Sequence, residues 1–280
     1  MHTTSGQRTT RATRWVAATS LTFALALGAT ACGSDKDDTS AGASTTTVAT
    51  ATTEATTTTA VSYASFCDTW LEVDATPSPG GPDGPPAAAD VKAFAVSIQP
   101  QAAALVAEAP PELADTVATL SKAVDTAAST GDSSSLESDE FSAASAKGET
   151  WLHEHCGYQN VDVMAMDYAY KGVPSALKAG KTSILLANHS AGHEVHEMII
   201  LRRKAGVTDK VADLLALPDE QAFAKVDFVG AAFAPPDQTT GLLTDLTPGG
   251  YIGVCFLPVG GADGNPPHFS KGMIVEFTVS

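Results

Sequence analysis

The sequence predicts an α+β multidomain chain, a small antiparallel helical bundle followed by a β-sandwich. Three observations carry that expectation. Apolar residues recur at helical spacing as far as Gly157, the period drops to two beyond it, and a Ser/Thr/Ala segment without core-forming residues precedes both. Across 280 residues, 16 Lys and Arg face 32 Asp and Glu, a net charge of −16. Such a surface repels a phosphate backbone, so nucleic acid is excluded as a partner.

The chain opens like an export signal. Arg8, Arg11 and Arg14 precede the apolar run Trp15 to Leu27, which is too short to span a bilayer comfortably. Ala29-Thr30-Ala31-Cys32 resembles a bacterial lipobox, with Ala29 where Leu or Val is usual; plain cleavage at the same A-x-A site is the other reading. On the first reading residues 1–31 are a signal peptide and Cys32 is lipidated, which places the protein outside the cytoplasm, anchored to the outer face of the cell membrane. Residues 33–60 are small or polar apart from Val48, so 32–60 is read as a lipidated Cys with a disordered tether of roughly 30 Å average span. The Thr-rich run resembles those of actinobacterial exported proteins. Loss of residues 1–31 removes three Arg and no acid, taking the charge to −19.

Residues 61–157 read as the bundle. Phe66, Trp70 and Val73 share a face behind Ser65 as N-cap; Val91, Phe94 and Ile98 follow Asp90; Leu113, Val117, Leu120 and Val124 follow Pro110-Pro111-Glu112. A last helix is predicted from Asp139 to Cys156, stopped by Gly157. Up-down-up-down packing of four helices places Cys67 beside Cys156, and an exported protein would join them as a disulfide. His153 and His155 diverge on a helix and are read as a solvated helix end rather than a metal site.

Residues 158–280 change period. Strands are predicted over Lys181 to Asn188, Val195 to Arg202, Val226 to Phe233, Tyr251 to Leu257 and Met273 to Val279, with short helices around Thr208 to Leu217 and Asp219 to Lys225. Within this frame Asn188 ends one strand and His196 begins the next. Cys255 sits on a later strand, and a Gly/Pro-rich loop leads to His268 and then, four residues on, Gly272-Met273.

This order of strand-end Asn, His, Cys, His and Met resembles the cupredoxin family of blue-copper domains. The resemblance implies a Greek-key β-sandwich that holds one copper ion in a type 1-like site. His196, Cys255 and His268 would be the equatorial ligands and Met273 the axial one, a mixed sulfur and imidazole set that suits both oxidation states. The departure is the loop between Cys255 and His268, twelve residues where the family has a few. His189 and His193 are read as exposed turn residues, and Glu197 as a surface group or one placed behind the ligands. The implied function is electron transfer or copper holding, with a redox partner protein and the membrane as partners. The other reading is a metal-free binding module on the cell surface. The G-x-S-x-G and H-E-x-x-H patterns are lacking, so no enzyme activity and no small-molecule substrate are expected.

Overall fold

A computed structural model describes residues 62–79, 86–262 and 264–280. The expected signal peptide, the Cys32 anchor and the tether lie outside the described residues. Residues 63–280 form a compact unit, helices first and strands after. Among the described residues no helix is long and apolar enough to cross a membrane.

Four helices make the first layer: α1 (Ala64–Asp74), α2 (Ala88–Glu108), α3 (Ala114–Thr130) and α4 (Asp139–His155). The predicted Ser65 cap is corrected. The Cys67 N–H already reaches the Tyr63 carbonyl at 2.9 Å, so the helix starts earlier and Ser65 lies inside it. Ser138 does cap α4, its hydroxyl accepting from the Phe141 N–H, and the chain leaves that helix through Gly157 at φ +66°. Phe66, Trp70, Leu105, Leu113, Val117, Trp151 and Leu152 form the inner core of the layer. Gly148 lets α4 approach Trp70: a Cβ there would lie 2.2 Å from the indole ring. Cys67 and Cys156 are bonded as expected, 89 residues apart in sequence. Closing a loop of that length stabilises by about 4–5 kcal/mol on the chain-entropy argument.

Two sheets follow. The first is ordered β2 (Ala169–Lys171), β1 (Gln159–Met166), β4 (Gly180–Asn188), β7 (Thr239–Leu246), with β1 and β4 parallel. The second is ordered β3 (Ala176–Leu177), β9 (Ile274–Val279), β8 (Gly249–Val254), β5 (His196–Arg203), β6 (Val226–Ala234). Val161, Val163, Ile184 and Leu186 of the first sheet belong to one core with Met198, Ile200, Tyr251 and Phe277 of the second. Short helices α5 (Val211–Leu215) and α6 (Asp219–Phe223) precede β6, and Leu214 of α5 packs with Leu201, Ile252 and Val254.

The helical layer leans on the outer face and free edge of β7. Leu243 joins the helical core, while its N–H, together with that of Gly241, points away from β4. Both edge donors find carboxylates: Gly241 N–H donates to Glu149 at 2.5 Å and Leu243 N–H to Asp74 at 3.4 Å. Tyr158 and Lys181 both donate to Asp68 on α1. His153 corrects the sequence reading. Rather than a solvated end, it is 8% exposed, with Nδ1 2.9 Å from the Ser183 hydroxyl on β4 and Nε2 3.3 Å from Asp162.

The edge carboxylates generate a pH dependence. Burial, with the Asp74 charge adding to it, pushes Glu149 up to about 8, and burial pushes Asp74 up to about 7. Unfolded carboxylates titrate near pH 4, so the folded chain holds the extra protons between about 4 and 8. Stability contributed by these groups is therefore present at low pH and lost as pH rises through that window. Thermal unfolding should give a Tm that falls from about pH 5 to pH 8, and Glu149→Gln should flatten the slope; a Tm that rises across this range in both proteins would contradict it.

Candidate metal centre

One end of the sandwich gathers the four predicted ligand residues. β5 begins at His196, Cys255 directly follows β8, a 3₁₀ turn (His268–Lys271) carries His268, and Met273 precedes β9. His196, Cys255 and Met273 are 0% exposed and His268 is 1% exposed. Donor atoms of His196, Cys255 and His268 all lie within 4.8 Å of one another. The two Nδ1 atoms are 3.1 Å apart, and Cys255 Sγ is 3.3 Å from His268 Nδ1. Met273 shares the core cluster of Cys255, and its backbone ties both neighbours: its carbonyl accepts from the Cys255 N–H and its N–H donates to the His268 carbonyl. Gly272, at φ +112°, makes the tight turn between His268 and Met273.

The long loop leaves the ligands where a short one would. The His268 N–H donates to the Leu257 carbonyl at 2.8 Å, the Val259 N–H to the Pro266 carbonyl at 3.0 Å, and Pro258 pairs with Pro267 across an antiparallel bridge. The insertion is thus a hairpin closed at its base. Measured by hydrogen bonds, Leu257 and His268 are neighbours.

Asn188 organises the opposite side. Its Nδ2 donates to the carbonyls of Glu194 and Ala234, and its Oδ1 accepts from the Ser190 N–H at 3.0 Å. One side chain therefore fixes the turn from β4 to β5 and the end of β6, which pairs with His196. Asp167, in the β1–β2 turn, accepts from the Ser190 hydroxyl and the Gly192 N–H. His189 and His193 are exposed, as the sequence suggested; His193 sits 3.6 Å from Asp237.

The sequence left Glu197 as a surface group or one behind the ligands, and it gave Tyr170 and Glu194 no role. Glu197 is buried and accepts from the Phe256 N–H at 2.8 Å, and burial pushes it up to about 7. The Tyr170 hydroxyl donates to the Glu197 carbonyl. Glu194, which the sequence did not single out, holds His268 from behind: its Oε2 is 2.7 Å from His268 Nε2. Burial works to raise Glu194, yet the Gly260 N–H, the Tyr168 hydroxyl and His268 hold it below the usual carboxylate range.

The electrostatics test whether copper fits. Burial pushes the Cys255 thiol up to about 12, with Glu197 adding to it, and pushes His196 down to about 4, with His268 adding to it. The cavity therefore keeps neutral imidazole and holds sulfur as a thiol until a cation offsets the burial. His268 Nε2 faces the Glu194 carboxylate, and its Nδ1 lies beside the sulfur and His196 Nδ1. Two imidazole nitrogens and one thiol converging in a dry pocket, with no carboxylate among them, form a donor set that fits copper.

No protein-family model matches the chain, and no curated protein matches it by sequence. Among solved structures it is similar to auracyanin A, a "blue" copper protein of the green thermophilic photosynthetic bacterium Chloroflexus aurantiacus, with 18% identity over 44% of this chain and 100% of that one and a TM-score of 0.29. Rusticyanin from Thiobacillus ferrooxidans matches at 17% identity over 44% of this chain and 78% of that one, TM-score 0.28. A multicopper oxidase matches at 11% identity over 44% of each chain, TM-score 0.26. What the centre can do follows from its own donor atoms.

Asn188→Ala would leave the Glu194 and Ala234 carbonyls and the Ser190 N–H without their partner in a buried place, at about 1–3 kcal/mol for each unsatisfied group. Urea unfolding should show a loss of at least about 2 kcal/mol. Wild-type stability in this variant would remove Asn188 as the organiser of the turn.

Proposed function

We propose that the chain is an extracytoplasmic, lipid-anchored protein that binds one copper ion and exchanges single electrons with a partner protein, or holds the ion. His196, Cys255 and His268 would hold the copper ion, with the Met273 thioether as a further ligand. The observation that carries this is the convergence of Cys255 Sγ, His196 Nδ1 and His268 Nδ1 at a buried end of the sandwich. When bound, copper supplies the one-electron step between its monovalent and divalent forms. The chain does the rest. Cys255 and Met273 offer soft sulfur to the monovalent ion, and the imidazoles suit the divalent one. The hydrogen-bonded ends of β8 and β9 hold these positions in either state, and burial excludes water. Such a site has no open position for a substrate, which favours electron transfer or copper holding over catalysis.

Adding Cu(II) to the full chain should give an intense visible absorption and one tightly held copper, with the band lost in Cys255→Ser. A protein that stays colourless and retains no copper after loading would overturn the reading. Anchoring has a separate test. Cells expressing the chain and fed a labelled fatty acid should label the wild type and not Cys32→Ala; an unlabelled wild type released into the medium would point to plain cleavage before Cys32.

A further inference from the structure

His268 is 1% exposed, and its outer edge meets protein rather than water. Glu194, in the turn from β4 to β5, stands behind that edge with Oε2 2.7 Å from Nε2. The same carboxylate accepts from the Tyr168 hydroxyl at Oε1, 2.7 Å away, and from the Gly260 N–H at Oε2, 2.9 Å away. Tyr168 also packs edge-on against the His268 ring, the centroids 5.1 Å apart. Three segments distant in sequence thus meet on one carboxylate: the β1–β2 turn, the β4–β5 turn and the hairpin inserted between Cys255 and His268.

A carboxylate so held can do two things for the imidazole. It accepts the Nε2 proton, which leaves the Nδ1 lone pair facing Cys255 and His196. It also sets a fixed negative charge behind the ring, which makes Nδ1 a stronger donor and favours a doubly charged ion over a singly charged one. We propose that Glu194 is a positioning residue for the copper ligand His268, fixing its tautomer and biasing the centre toward the divalent ion. The proposal rests on the copper reading. It adds that the inserted hairpin is functional, because Gly260 helps to hold Glu194 in place.

Full-length wild type, Glu194→Gln and Glu194→Ala are titrated with Cu(II), and with Cu(I) against a competing chelator. Thermal unfolding is followed in each. Glu194→Gln keeps shape and hydrogen-bonding capacity while removing the charge. It should weaken Cu(II) binding by about tenfold or more while changing Cu(I) binding much less. Equal losses for both ions, or none for either, would overturn the charge role. The tautomer is read without copper, from nitrogen NMR of the metal-free protein. His268 should be protonated at Nε2 in the wild type and lose that preference in Glu194→Ala. An unchanged His268 signature in Glu194→Ala would overturn the positioning role. A wild type that binds no copper would count against the copper reading, and the metal-free spectra would still decide whether Glu194 sets the tautomer.

Discussion

Two imidazoles and a thiol are buried together at one end of the sandwich, and that constraint shapes the rest of the centre. Polar groups taken out of water must find partners, and here they find one another and the Glu194 carboxylate. His268 faces a carboxylate on one side and the sulfur on the other. His196 Nε2 has no hydrogen-bond partner in its buried position. Its ring is held by the contact of Nδ1 with His268 and by the pairing of β5 with β6, whose end Asn188 clamps. The ligands are placed by backbone ladders: His196 through β6, Cys255 through Met273, and His268 through Leu257.

The helical layer answers a different constraint. β7 is an edge strand, and an uncovered edge offers unpaired N–H groups to any other strand. Two acidic side chains, one from α1 and one from α4, take up those donors. Burying carboxylates raises their pKa, so the cover favours the protonated forms. Hydrophobic burial of Leu243, the hydrogen bonds of Asp68 and the contacts of His153 with Ser183 and Asp162 add to it.

Much of this was legible in the sequence. Helical spacing located all four long helices, and residues 160–280 gave five strands and the four candidate ligands in order. Several elements were not. β2 and β3 are three and two residues long, too short for any period to register. β7 reads Thr-Thr-Gly-Leu-Leu-Thr-Asp-Leu and is buried on both faces over its middle, so alternation is lost. β1 does alternate, but its inward side chains are only Val and Ala. His153 looked solvated because nothing local shows that Ser183 will sit against it. Glu194 was invisible as a functional residue for a related reason: its partners Gly260 and His268 lie 66 and 74 residues away. Local pattern finds the ligands, whereas the groups behind them are set by how turns from different strands meet.

The bond between Cys67 and Cys156 has a mechanical consequence. Its two Cα atoms are 5.8 Å apart, and β1 begins three residues beyond Cys156. Tension entering the chain ahead of Tyr63 reaches Cys67, crosses the sulfur bridge and passes straight into the sandwich. α2, α3 and all of α4 lie inside the closed loop and carry none of that load along the backbone. A pull on the N-terminal end would therefore stress the first turn of α1 and strand β1, and the helices covering the β7 edge would stay in register while the sandwich bore the force.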